Sequence, residues 1–138
     1  MSTRSDHARQ LNSKITHLIR RIRHIDERQG VGRAKLSALA VLHFGGSRSL
    51  TELAKAELVT PTTMHHIIKG LLNDKLVRKL PDPTDKRRQE IRLTPKGEEV
   101  IMKAHAARLT FLEMLLVGQP TKRITETIAL LEAMEERQ

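Results

Sequence analysis

Apolar residues recur along most of the chain at intervals of three and four, the period of a helix buried on one side. Leu11, Ile15, Leu18, Ile19, Ile22 and Ile25 form the first stripe, with Lys14, Arg20, Arg21, Arg23 and Arg28 set between them. Gly30 and Gly32 end that helix. A second helix is expected over about 34–44, where Leu36, Leu39, Ala40, Leu42 and Phe44 are apolar, before Gly45-Gly46-Ser47 breaks the pattern. A Ser or Thr cap in Ser49-Leu50-Thr51 opens a short third helix that ends near Glu57. Leu58-Val59 is a brief turn. Thr60-Pro61 then starts a fourth helix, since Thr caps well and Pro suits the first helical position. Met64, Ile67, Ile68, Leu71 and Leu72 make its apolar face, and Thr62, His65, His66, Lys69 and Asn73 its polar one.

After Lys75 the period changes. Residues 76–80 and 89–93 read as two short strands, with Ile91 and Leu93 on one face. Pro81-Asp82-Pro83-Thr84-Asp85 is a turn, and Asp85-Lys86-Arg87-Arg88 is a charged hairpin tip. Thr94-Pro95 caps a long helix to about Val117, striped by Ile101, Ala104, Arg108, Leu112, Leu115 and Leu116. Gly118-Gln119-Pro120 ends it. A last helix, about 121–137, carries Ile124, Ile128, Leu131 and Met134 at helical spacing. No repeat, low-complexity tract or flexible linker interrupts the chain. The expected fold is mainly α with a small β-hairpin wing: a winged helix-turn-helix domain plus a helical region.

Composition narrows the function. The 138 residues suffice for one compact domain that buries about two-thirds of its unfolded surface. Lys and Arg number 25 against 16 Asp and Glu, a formal charge of +9. Residues 1–48 carry +7, residues 49–94 carry +3 and residues 95–138 carry −1. A basic chain points to a polyanion, with nucleic acid first. The absence of Cys excludes disulfides, thiolate metal sites and thiol switches. The polar first ten residues hold no apolar signal core, and no apolar run approaches 18 residues, so a soluble, cytoplasmic protein without membrane contact is expected. With Phe44 and Phe111 the only aromatics, stacking platforms for single strands are disfavoured.

Two short helices joined by a tight turn and followed by a basic hairpin suit double-stranded DNA. The second helix offers Thr62, Thr63, His65, His66 and Lys69 to a major groove, while Lys86, Arg87 and Arg88 reach an adjacent minor groove. Exposed charges are often merely solvated, but position on a recognition helix and wing favours contact. Arg78, Lys79 and Arg92 on the strands are candidates to follow the backbone. No nucleophile elbow, phosphate-binding glycine loop or carboxylate pair argues for catalysis. Ser5-Asp6-His7 is a triad in letters only, in a terminus expected to fray. Seven His without an i, i+4 pair make no recognisable metal site, and no cofactor is expected.

The chain resembles the MarR family of bacterial transcription regulators over essentially its whole length. The resemblance runs through Leu50-Thr51-Glu52-Leu53-Ala54, Thr60-Pro61-Thr62-Thr63-Met64 and Leu71-Leu72-Asn73-Asp74-Lys75-Leu76-Val77. It is clearest in the hairpin, Asp82-Pro83-Thr84-Asp85-Lys86-Arg87, and in Leu93-Thr94-Pro95-Lys96-Gly97. It implies a homodimer in which 1–32 and 95–138 interlock around a DNA-binding region at 33–94. The recognition helix would span about 61–74 and the wing about 76–93. Leu11, Ile15, Leu18, Leu112, Leu115, Leu116, Ile124, Ile128 and Leu131 would form the dimer contact. That also answers the excess of apolar surface a monomer would expose. Asp85 would orient Arg87. The family likeness further implies a repressor released by a small, often aromatic and anionic, effector, at a junction where His17, Arg20, His24, His43 and Phe44 are candidates. A protein-docking winged helix and a non-specific architectural DNA binder are the alternatives. Three positions depart from the family pattern: Thr84 and Gly70 stand where Arg is frequent, and Lys75 where Gly is usual.

Overall fold

The computed structural model describes residues 1–137. Among them the order is α1 (Arg4–Glu27), α2 (Arg33–Gly45), α3 (Leu50–Ala56), α4 (Pro61–Asn73), β1 (Val77–Pro81), β2 (Gln89–Leu93), α5 (Pro95–Leu116) and α6 (Thr121–Glu135). The mainly helical fold with one hairpin matches the expected class. The chain divides into two compact units, Met1–Arg108 and a second beginning at Leu109, so the division falls inside α5 and not at its Thr94-Pro95 cap.

The first unit starts earlier than the hydrophobic stripe suggests. Thr3 caps α1: its hydroxyl accepts the Asp6 N–H at 3.1 Å, and the Asp6 carboxylate accepts the Thr3 N–H at 2.9 Å. Ser5-Asp6-His7 therefore forms a capped first turn, contrary to the expected fraying. The Thr3 backbone N–H and hydroxyl hold the Asp6 carboxyl below its ordinary range.

α2, α3 and α4 supply most of the core. Leu39, Leu53, Met64, Ile68, Leu71 and Ile91 are its largest fully buried side chains. Full burial of such a residue stabilises by about 1.5–3 kcal/mol. On α4 the buried residues are Met64, Ile68 and Leu71, with Ile67 and Leu72 half-buried, as the helical period predicts. Ser49 caps α3 and Thr60 caps α4, with Pro61 in its first turn.

Both helices of the helix-turn-helix end the same way. After α3, the Val59 N–H reaches the Ala54 carbonyl and the Leu58 N–H reaches that of Lys55. After α4, Leu76 reaches Leu71 and Lys75 reaches Leu72. These are paired Schellman closures, which put one residue in the left-handed region. That residue is Leu58 in one case (φ 56°) and Lys75 in the other (φ 61°), where glycine is the easy choice. At Lys75 the strained turn is held from outside: the Thr94 hydroxyl donates to its carbonyl at 2.7 Å, and Lys96 Nζ donates to the Asp74 carbonyl at 3.0 Å.

β1 and β2 pair antiparallel with Val77 opposite Leu93 and Lys79 opposite Ile91. Arg48, in the α2–α3 connection, adds a one-residue third edge. Its carbonyl accepts the Ile91 N–H at 2.7 Å and its N–H reaches the Ile91 carbonyl at 3.3 Å. At Gly97, a Cβ would run into the Leu76 carbonyl, which explains a glycine in the first turn of α5.

The second unit holds the end of α5, the Gly118-Gln119-Pro120 turn and α6. α6 ends at Glu135, two residues before the expected limit, and contains no buried residue. Ile124 is half-buried, while Ile128, Leu130, Leu131 and Met134 are exposed.

Candidate nucleic-acid interface

α4 sends Met64, Ile68 and Leu71 inward, and that phase sends Thr62, Thr63, His65, His66, Lys69 and Asn73 outward; all six are exposed. Thr60 is a cap first: its hydroxyl accepts the Thr63 N–H at 3.1 Å and lies 3.0 Å from the Thr63 hydroxyl. His65 and His66 lie with ring centroids 6.1 Å apart. The helix is braced from behind by Lys35 of α2, whose Nζ lies 2.8 Å from Asp74 Oδ2. Lys35 crosses directly over Gly70: a Cβ there would lie 2.7 Å from Lys35 Cε. The glycine at this position thus makes room for a strut between α2 and the end of α4.

The wing tip is organised by two aspartates. Asp82 Oδ1 accepts the Thr84 N–H and hydroxyl, both at 2.8 Å, and the Asp85 N–H at 3.2 Å. The Thr84 backbone and hydroxyl bonds hold the Asp82 carboxyl below its ordinary range. Asp85 Oδ1 accepts the Arg87 N–H at 3.0 Å and faces Arg87 Nε at 3.5 Å. Arg87 itself projects into solvent, with 93% of its side chain exposed. Lys86 is exposed beside it. Arg88 turns back: its Nη2 donates to the Ser49 hydroxyl at 3.0 Å and to the Glu52 carboxylate, both on α3 or its cap. A groove between α3 and the wing is lined by Lys55, Lys79, Lys86 and Arg87 together with Glu52. Arg78 sits directly opposite Arg92 across the hairpin, a like-charge pairing that a polyanion would relieve; Glu90 lies 3.4 Å from Arg92.

A separate cavity of about 310 Å³ lies among α1, α2 and α5, all within the first unit. Ile19, Ile22, Leu36, Ala40, Phe44 and Ile101 give it an apolar body, and Arg23, Arg33, His105 and Arg108 a cationic rim. Its one carboxylate, Asp26, is only 8% exposed and pairs with Arg108 Nε at 3.1 Å.

Of the five residues expected at an effector junction, Phe44 alone lines this cavity. The reason is helical phase. The α1 positions facing it are Ile19, Ile22, Arg23 and Asp26, so His17, Arg20 and His24 fall on other sides and are exposed. His24 lies 3.8 Å from Glu27. His43 is half-buried and bonds Glu98 through Nδ1 at 2.8 Å, joining α2 to α5. Phe44 packs edge-on between His43, at 4.7 Å, and His105, at 5.0 Å. Arg108 in an otherwise apolar stripe was the sequence signal for the ion pair; nothing in the sequence marked Asp26 as its partner. Among the residues expected at a dimer contact, Leu11, Ile15 and Leu18 on α1 are exposed, as are Leu116, Ile128 and Leu131; Leu112, Leu115 and Ile124 are half-buried. Among the described residues no cluster of three or more His, Asp or Glu is placed to hold a metal, and no helix is long and apolar enough to cross a membrane.

Comparison with known proteins agrees with this geometry. Residues 29–88 match the family model described as MarR family. The chain is 30% identical over 117 residues to an HTH-type transcriptional regulator of Mycobacterium leprae, covering 84% of this chain and 82% of that protein. It is also 30% identical over 105 residues to an HTH-type transcriptional regulator of Mycobacterium tuberculosis, covering 76% of this chain and 73% of the other. Among solved structures, a MarR family protein from Bacillus stearothermophilus superposes with a TM-score of 0.84 at 16% identity, covering 98% of this chain and 97% of the other. Wild-type MarR from E. coli superposes with a TM-score of 0.76 at 18% identity, covering 97% of each; at these identities the likeness shows the fold. The sequence relatives and the helix-turn-helix with its wing together place the chain in the MarR family of HTH-type transcriptional regulators.

Proposed function

We propose that the protein is a homodimeric repressor that binds a near-palindromic duplex site in the cytoplasm. Residues 33–94 form its DNA-binding region, and 1–32 and 95–138 its dimerisation region. α4 lies in the major groove with Thr62, Thr63, His65, His66 and Lys69 toward bases and phosphates, and the wing places Arg87, oriented by Asp85, in the minor groove. Lys86 supports it at the phosphate backbone. The observation that carries this reading is the fully polar, exposed face of α4 beside a solvent-projected Arg87. Apolar side chains left exposed on α1 and α6 favour a second copy as the dimer partner. The cavity beside α1, with three arginines and His105 around an apolar body, favours a small anionic effector.

The test is a duplex selected from a randomised pool by the protein itself, then titrated over a range of salt. A regulator prefers that duplex to a random one by at least about a thousandfold, and its affinity falls steeply with salt. Arg87→Ala loses binding while remaining a dimer by sedimentation. Equal affinity for random DNA identifies an architectural binder, and no DNA affinity a docking module. Calorimetric titration with small phenolic acids gives heat and DNA release if the cavity takes an effector.

A further inference from the structure

Arg88 differs from its neighbours at the wing tip in turning away from solvent. Its guanidinium meets two groups on one element, the Ser49 hydroxyl at 3.0 Å and the Glu52 carboxylate. Those two groups are themselves joined. The Ser49 hydroxyl accepts the Glu52 N–H at 3.2 Å as the helix cap and donates to Glu52 Oε1 at 3.0 Å. The main chain of Arg88 closes the tip loop as well: its N–H donates to the Asp85 carbonyl at 3.0 Å, and its carbonyl accepts the Asp82 N–H at 3.0 Å. One residue therefore seals the loop that carries Arg87 and fastens that loop to α3. Both side chains are about half exposed, and an exposed ion pair adds little to stability. Its value lies in geometry. The Arg48–Ile91 main-chain pairing anchors the middle of β2, and among the described residues no tip side chain other than Arg88 makes a hydrogen bond or ion pair to the helix-turn-helix.

Charge supports the same assignment. Glu52 lies in a groove whose other charged lining residues are Lys55, Lys79, Lys86, Arg87 and Arg88 itself. A free carboxylate on such a surface would repel phosphate, whereas one spent on Arg88 does not. We propose that Arg88 is a positioning residue for DNA recognition: held by Ser49 and Glu52, it sets where Arg87 enters the groove and does not itself contact phosphate. The proposal rests on the DNA-binding reading above.

The experiment compares Glu52→Gln, Arg88→Ala, the double variant and Arg88→Lys on the duplex selected by the unaltered protein, reading affinity, its salt dependence and the hydroxyl-radical footprint. Glu52→Gln removes a negative charge from a DNA-facing groove, so simple electrostatics has it bind more tightly. The proposal has it bind about tenfold more weakly, because the wing is released. Arg88→Ala weakens binding to a similar degree, and the double variant is no weaker than either single one. Arg88→Lys recovers part of the loss. Minor-groove protection by the wing fades in the two single variants while major-groove protection by α4 stays, a split that general destabilisation does not produce. The deciding comparison is between the two single variants: if Arg88 itself contacts phosphate, Glu52→Gln frees it and binding holds or tightens, whereas a lost strut weakens both variants and lowers their salt slopes alike. Unchanged or tighter binding by Glu52→Gln, a slope reduced in Arg88→Ala but not in Glu52→Gln, or unaltered footprints overturns the assignment. If the unaltered protein selects no duplex, the DNA-binding reading fails first and takes the proposal with it.

Discussion

The winged region and the C-terminal unit handle their apolar residues in opposite ways. Between Leu36 and Ile101 most large apolar side chains close on one another, Phe44 and Leu58 being exposed, and six of them are fully buried. Past Leu109 the same residue types recur at helical spacing, yet α6 buries none. Apolar residues at helical spacing thus have two outcomes, depending on whether neighbouring elements of the chain cover them. The first region covers most of its apolar side chains with its own residues; α6 leaves its apolar face exposed.

That contrast can be broken by measuring where stability depends on protein concentration. Leu71→Ala, in the shielded core, lowers unfolding free energy by about 3 kcal/mol in urea titrations, by the same amount in dilute and concentrated samples. Leu131→Ala on α6 costs less, and its cost changes with concentration, because it acts on a second-order equilibrium. A concentration-independent Leu131 effect would erase the distinction. Next in size is Arg108→Ala, expected to cost about 2 kcal/mol because it strands the buried Asp26 carboxylate; Asp26→Asn in the same background recovers part of that in thermal melts. Lys75→Gly works in the other direction. It relieves a left-handed side chain and is expected to gain about 0.5–1 kcal/mol, with no change in dimerisation. The smallest effect is acid loosening of the wing. The Asp82 carboxyl titrates below its unfolded value, so its contribution is whole above the ordinary carboxylate range and is lost as pH falls through the lowered folded value. Amide exchange at Thr84 and Asp85 should quicken in that acid window before exchange in α4 does.

Much of the winged region was legible because its rules are local. The caps at Ser49 and Thr60, the phase of α4 and the hairpin follow from spacing and residue type, while the glycine after Leu93-Thr94 is marked by the resemblance to the family. Lys75 was readable as a position wanting glycine, and the structure adds how Thr94 and Lys96 hold it there. What escaped was long-range or single-residue. Arg48 pairs with Ile91 across 43 positions, and one paired residue has no period to detect. Arg88 sits beside Arg87 in sequence, and nothing local says that one points out and the other in. On α1 the apolar stripe is interleaved with arginines, so its phase toward α2 is not legible in the sequence; the cavity is lined there by Ile19, Ile22, Arg23 and Asp26 and not by His17, Arg20 or His24. The N-terminal cap was signalled by Thr3 and Asp6, but with Asp where the usual capping box carries Glu or Gln.

α2 and the connection after it touch three separate parts of the first unit. One side of it lines the cavity through Leu36, Ala40 and Phe44. Lys35 grips the far end of α4, and Arg48, three residues past the end of α2, pairs with Ile91 of the wing. These three contacts join the cavity, the end of α4 and the wing through one helix, so on the proposed function an occupant of the cavity that turns α2 moves α4 and the wing together.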